Sequence, residues 1–87
     1  MAIGVVAKLT IQEGKNEEFE TIFGELQAAV NSNEPGCNFY AVHKSRDSET
    51  AYVVLEQYTD QAALDAHGAS EHMKSIGAKA GVFAKYM

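Results

Sequence analysis

Between residues 3 and 11 the chain alternates, with Ile3, Val5, Ala7, Leu9 and Ile11 on one side and Gly4, Val6, Lys8 and Thr10 on the other. A period of two predicts a strand. The alternation stops at Glu13-Gly14-Lys15-Asn16, and Phe19, Ile22, Phe23, Leu26, Ala29 and Val30 then recur at three and four. That spacing collects them on one stripe of a helix from about Lys15 to Ser32. Glu17 and Glu18 fall in its first turn, at the positive end of the helix dipole, while Glu20 and Glu25 lie off the stripe. All four read as solvated surface.

Asn33-Glu34-Pro35-Gly36 is a turn that the helix cannot pass, because proline lacks a donor and glycine permits positive φ. A strand over Asn38–Lys44, a polar turn of Ser45-Arg46-Asp47-Ser48-Glu49-Thr50 and a strand over Ala51–Tyr58 follow, antiparallel because the loop is short. Thr59 or Asp60 caps a second helix bearing Ala63, Leu64 and His67. After Gly68 a new start at Ser70 carries Met73, Ile76, Gly77 and Ala80, so this helix should break near Gly68. The order β-α-β-β-α gives an α+β fold, the first five elements of a ferredoxin-like β-α-β-β-α-β unit with an antiparallel sheet. Residues 81–87 are few for a sixth element with its connection, so the last strand is expected to be missing. Two helices cover one sheet face, yet Val6 lies opposite the main stripe of its strand, and Tyr52 and Val54 oppose Val53 and Leu55. Both faces call for burial, which predicts a homodimer with sheet stacked on sheet.

Composition narrows the class. At 87 residues, 46% apolar and 22% charged, the chain reads as a single folded domain, 1–87. One cysteine, Cys37, and no leader-like opening make the cytoplasm the expected location. No apolar run approaches the ~20 residues needed to span a bilayer. Twelve acidic against seven basic residues give a net charge of -5, and one arginine, Arg46, cannot build a phosphate-binding stripe. Neither membrane nor nucleic acid is an expected partner.

No GxGxxG, GxxxxGK[ST], HExxH, CxxC or GxSxG occurs, which removes the nucleotide, zinc-protease and serine-hydrolase readings. What stands out is Glu56 to Asp60, then His67, then Ser70 to Met73. Glu56 and Tyr58 share a strand face with Tyr52 and Val54, where a carboxylate loses hydration and either works as an acid-base group or ties strand to helix. His67 lies on the inward stripe of its helix, as a buried structural ring or as a base. His72, near a helix start, is either exposed or placed for proton transfer at a pocket mouth. Tyr40 and Asn38, two apart, are expected to share one face of their strand and line that pocket, with Asn38 offering an orienting hydrogen bond. His43, His67 and His72 with Glu56 or Glu71 show no chelating spacing, so no metal site is expected. Cys37 reads as a small core residue.

At these residues the chain resembles the antibiotic biosynthesis monooxygenase (ABM) domain family of the dimeric α/β-barrel group. The likeness begins at Val5-Val6-Ala7-Lys8-Leu9 and continues through Glu13 to Glu20 and Glu34-Pro35-Gly36-Cys37. It peaks in Glu56 to Met73, which follow the pattern E-x-[WY]-x-D-x-x-A-x-x-x-H-x-x-S-x-H-M. The resemblance implies a ferredoxin-like protomer, a sheet-stacked dimer and a pocket between sheet and helices. It also implies oxidation of a small aromatic quinol or polyphenol by dioxygen without metal, flavin or haem. By position it matches Glu56, Tyr58, His67 and His72; catalysis is expected of Glu56, His67 and His72, with His67 or His72 as base, and substrate contact of Tyr58, Tyr40, Asn38 and Met73. The position usually held by tryptophan is Tyr58, as in relatives resembling the autoinducer-2 degrading isomerases. An isomerase of a small carbonyl metabolite is therefore the alternative, with a non-catalytic dimeric ligand-binding protein as the third reading. The chain has no tryptophan, which disfavours haem degradation.

Overall fold

The computed structural model describes residues 1–81 and 84–86, with side chains through residue 80. Its elements run β1 (Ile3–Ile11), α1 (Asn16–Asn33), β2 (Cys37–Lys44), β3 (Ala51–Tyr58), α2 (Gln61–Ala69), α3 (Glu71–Gly81) and β4 (Ala84–Tyr86). The sheet order is β2-β3-β1-β4, with antiparallel neighbours throughout, which is the ferredoxin-like arrangement. The last strand, expected to be missing, is present in short form. Three residues pair with the end of β1, Leu9 opposite Tyr86 and Ile11 opposite Ala84, because α3 stops at Gly81 and leaves enough chain to reach that edge.

The alternation in β1 and β3 divides the sheet into two faces. Leu9, Ile11, Tyr52, Val54, Glu56 and Tyr58 point inward and are buried. They meet Phe19, Phe23, Leu26 and Val30, the stripe of α1, and Ala80 of α3. Each buried Leu, Ile, Val or Phe among them contributes roughly 1.5–3 kcal/mol by leaving water. Rings of Phe19 and Tyr52 lie 4.8 Å apart, and Phe23 stacks on Tyr40 at 5.7 Å. The start of α1 is tied to the sheet by Asn16, whose Nδ2 donates to the Tyr52 hydroxyl at 3.0 Å, while that hydroxyl donates to Glu20. On the outer face Val6, Phe39 and Leu55 are 63%, 45% and 38% exposed.

Two local features position the site. Cys37 pairs with Tyr58 and Phe39 with Gln57, leaving Asn38 as the extra residue of a β-bulge. The bulge resets the alternation, so Tyr40 points inward opposite Glu56 while Asn38 is exposed. Asn38 donates to Gln57 Oε1 at 2.8 Å. The expectation that Asn38 and Tyr40 share a face is thus corrected. The second helix breaks at Ser70, two positions beyond Gly68, giving α2 and α3. Asp60 caps α2 by accepting from the Ala63 amide at 2.9 Å. No described helix is long and apolar enough to cross a membrane.

Candidate functional site

The site is assembled around a turn. Glu34 closes α1, its amide donating to the Val30 carbonyl at 3.0 Å, and its own carbonyl accepts from the Cys37 amide at 3.1 Å. Between them Gly36 is pressed onto α2: a Cβ there would stand 2.6 Å from Ala63 Cβ. The Gly36 carbonyl also accepts from the Thr59 amide at 2.8 Å. Proline and glycine therefore clamp the end of α1 against the start of α2 and leave the Glu34 side chain only 9% exposed.

Two imidazoles converge on that carboxylate, and two further groups lie behind one of them. His67, in the last turn of α2, sits between the rings of Tyr40 and Tyr58, at 5.3 and 5.2 Å. Its Nδ1 lies 2.9 and 3.0 Å from the two oxygens of Glu34, and its Nε2 3.9 Å from Glu56 Oε1. The Tyr58 hydroxyl donates to the same Glu56 oxygen at 2.7 Å. From the other side, His72 Nε2 is hydrogen-bonded to Glu34 Oε2. The result is one chain of polar groups, Tyr58, Glu56, His67, Glu34 and His72, spanning sheet, turn and both helices. With Nδ1 of His67 donating to Glu34, its Nε2 is left to face Glu56.

The break at Ser70 makes this convergence possible. In an unbroken helix, residues five apart point about 140° away from each other, at about 100° per residue. Ser70 adopts an extended backbone, donates its hydroxyl to the His67 carbonyl at 2.7 Å and accepts from the Met73 amide at 3.3 Å. The chain thus turns between the two histidines, and both rings reach Glu34.

Burial sets the proton balance. The Glu56 carboxyl is raised above its ordinary value by loss of hydration, aided by the field of Glu34, and the hydrogen bond from Tyr58 and the His67 ring only partly offset this. The Tyr58 phenol is pushed far above its ordinary range by burial and then by the carboxylate it donates to, so it remains a donor. Burial and the fields of Glu34 and Glu56 raise the Cys37 thiol.

A cavity of about 370 Å³ opens beside this chain, walled by Glu34, Cys37, Ala63, Ala66, Ser70 and His72. Among the proposed site residues, Glu56, Tyr58, Tyr40, His67 and His72 are brought together, and His72 alone of these lines the cavity. Tyr58 and Tyr40 are buried behind His67, Met73 packs against the core, and Asn38 is on the outer face. Glu34 is the residue that sequence reasoning missed. A carboxylate at the C-terminal end of a helix opposes the dipole, and α1 has no basic residue in its last turn to offset it. That conflict was the available signal that Glu34 has partners elsewhere. Nor did spacing reveal that donor atoms of Glu34, His67 and His72 lie within 4.8 Å of one another, since Glu34 is far away in sequence.

A ferredoxin-like sheet with a buried carboxylate-imidazole chain beneath its helices defines an α+β protein of the ABM architecture. The model of the antibiotic biosynthesis monooxygenase family matches residues 2–79, and the chain belongs to that family. A Caulobacter crescentus protein assigned as an antibiotic biosynthesis monooxygenase is 40% identical, with a TM-score of 0.91 over 99% of this chain and 87% of that one. A conserved protein from Methanosarcina mazei is 27% identical, with a TM-score of 0.88 over 100% and 89%. SnoaB from Streptomyces nogalater, a cofactor-independent oxygenase solved as its N63A mutant, shares the fold at 21% identity, with a TM-score of 0.85 over 99% and 86%. No curated protein matches the chain.

Proposed function

We propose that the protein is a cofactor-free monooxygenase that oxidises a small aromatic quinol with dioxygen in the cavity beside Glu34 and His72. The observation that carries this reading is the hydrogen-bonded run from His72 through Glu34 to His67, whose Nε2 stands 3.9 Å from Glu56, with one end at the cavity wall and the other sealed by Tyr58. Family membership and the fold shared with SnoaB support it.

An electron-rich hydroxyarene loses its phenolic proton to the His72–Glu34 pair, and the phenolate passes one electron to dioxygen. The resulting radical pair joins at a ring carbon, forming a C–O bond. Loss of the ring C–H proton with cleavage of the O–O bond then leaves a quinone carbonyl and one water. The substrate gives up four electrons, one oxygen atom enters the ring and the other leaves as water. The protein's share is to accept and return a proton, orient the ring and exclude water, which the alanine-lined wall favours.

An oxygen electrode with a panel of quinols tests the reading. Wild type should take up oxygen above the buffer rate with at least one substrate, and His67→Ala and His72→Ala should lose about 10²–10⁴-fold. Uptake that never exceeds the buffer rate refutes it. Solvent proton exchange into a carbonyl substrate without oxygen consumption would assign the same groups to an isomerase.

The partner proposed is a second copy of the chain. Val6 and Leu55 are directly opposite one another on β1 and β3, and with Phe39 they form the exposed apolar part of the outer sheet face. Stacking two such faces removes them from water.

A further inference from the structure

We propose that Glu34, His67 and His72 also form a three-ligand site for a divalent first-row cation of the zinc type. Their donor atoms, carboxylate oxygen, Nδ1 and Nε2, lie within 4.8 Å of one another and come from a turn and two helices. Both ring nitrogens are directed at the same carboxylate, so a cation among the three would take the place of the protons that now link them.

On the His67 side the spacing is close to what such an ion needs. Zinc bonds of about 2.0–2.1 Å in a tetrahedron set the donors roughly 3.3 Å apart. His67 Nδ1 is 2.9 and 3.0 Å from the Glu34 oxygens, so on that side the carboxylate retreats by less than about 0.5 Å. A carboxylate for the outer shell stands nearby. The second nitrogen of His67 is 3.9 Å from Glu56 Oε1, the start of the carboxylate–histidine–metal arrangement that fixes ring orientation and strengthens the ligand. The cavity of about 370 Å³ reaches both Glu34 and His72, providing an entry path and room for water at a fourth position. Two imidazoles and one carboxylate favour zinc, cobalt, nickel or copper over magnesium or calcium.

Binding does not depend on the oxygenase reading, but it bears on it. A cation held by Glu34 occupies the carboxylate proposed to accept the substrate proton, so it acts as an inhibitor of that reaction.

Cobalt(II) and zinc(II) titrated separately into chelator-treated protein test the site. Cobalt should produce visible d–d bands, and zinc should give one saturable calorimetric isotherm and raise the thermal midpoint. Glu34→Gln and His72→Ala should each weaken zinc at least tenfold while circular dichroism shows them folded, and Glu56→Gln should weaken it about tenfold through the outer shell. His43→Ala, on an exposed residue of β2, should bind as wild type. Absence of cobalt bands and zinc heat in wild type would overturn the proposal, as would unchanged affinity in both folded ligand variants. These readouts need no substrate, so a failed quinol assay leaves them interpretable.

Discussion

The Tyr58 hydroxyl donates to Glu56 Oε1 at 2.7 Å, from two residues along the same strand and the same buried face. The pair helps a carboxyl group sit in the core, because the phenol satisfies one oxygen while burial favours the protonated acid.

This sets the sign of a pH effect. The folded-state value of Glu56 is raised above 4.5, so its stabilising contribution is complete below that pH and declines as pH rises through the folded value. Urea unfolding of chelator-treated protein between about pH 4 and about pH 8 should show wild type losing stability relative to Glu56→Gln. Parallel curves for the two proteins would count against a raised Glu56.

Removing only the phenol oxygen isolates the other half of the pair. Tyr58→Phe keeps the ring against His67 but leaves Glu56 without its donor, at a cost of roughly 1–3 kcal/mol. In the double variant with Glu56→Gln the costs should be non-additive, which thermal unfolding of the four proteins reads directly.

Cys37 reports on the field of the site. Its thiol is raised first by burial and then by Glu34 and Glu56, so alkylation by iodoacetamide at neutral pH should be slow. Glu34→Gln removes one of those charges and should speed the reaction, while equal rates would show that burial alone governs the thiol.

Gly36 is tested by a single methyl group. Gly36→Ala drives a Cβ to 2.6 Å from Ala63 Cβ and should destabilise the fold by about 1–3 kcal/mol as α2 is pushed off the turn. Combining it with Ala63→Gly should recover much of the loss in thermal midpoint.

For the proposed dimer, Leu55→Lys with Val6→Lys puts cations on the outer face without touching the inner core. Light scattering should then give half the wild-type mass with an unchanged far-ultraviolet spectrum. A monomeric wild type would remove the proposal.

The bounds of β3, the stripe of α1 and the shared face of Glu56 and Tyr58 were legible because each depends on local periodicity. The bulge at Asn38 was not, since an extra residue in one strand shows only against its partner's register. Glu34 escaped for a related reason. Its role arises from where the turn docks, and the two histidines it joins are 33 and 38 positions away. A last strand within residues 81–87 escapes an argument from length, because three residues suffice where an existing edge supplies the ladder.

Ser70 gives the site an unusual sensitivity to chain length. Because the helix stop at Ser70, with Met73, Ile76 and Ala80 packed on the core, sets the angle between His67 and His72, adding one residue after Ser70 would shift His72 by about 100° around α3 relative to that stop. Every side chain of the site would keep its identity and every strand its register, yet the imidazole would swing from the carboxylate towards solvent. In this family member, a count of residues between two helices sets the site as firmly as the residues themselves.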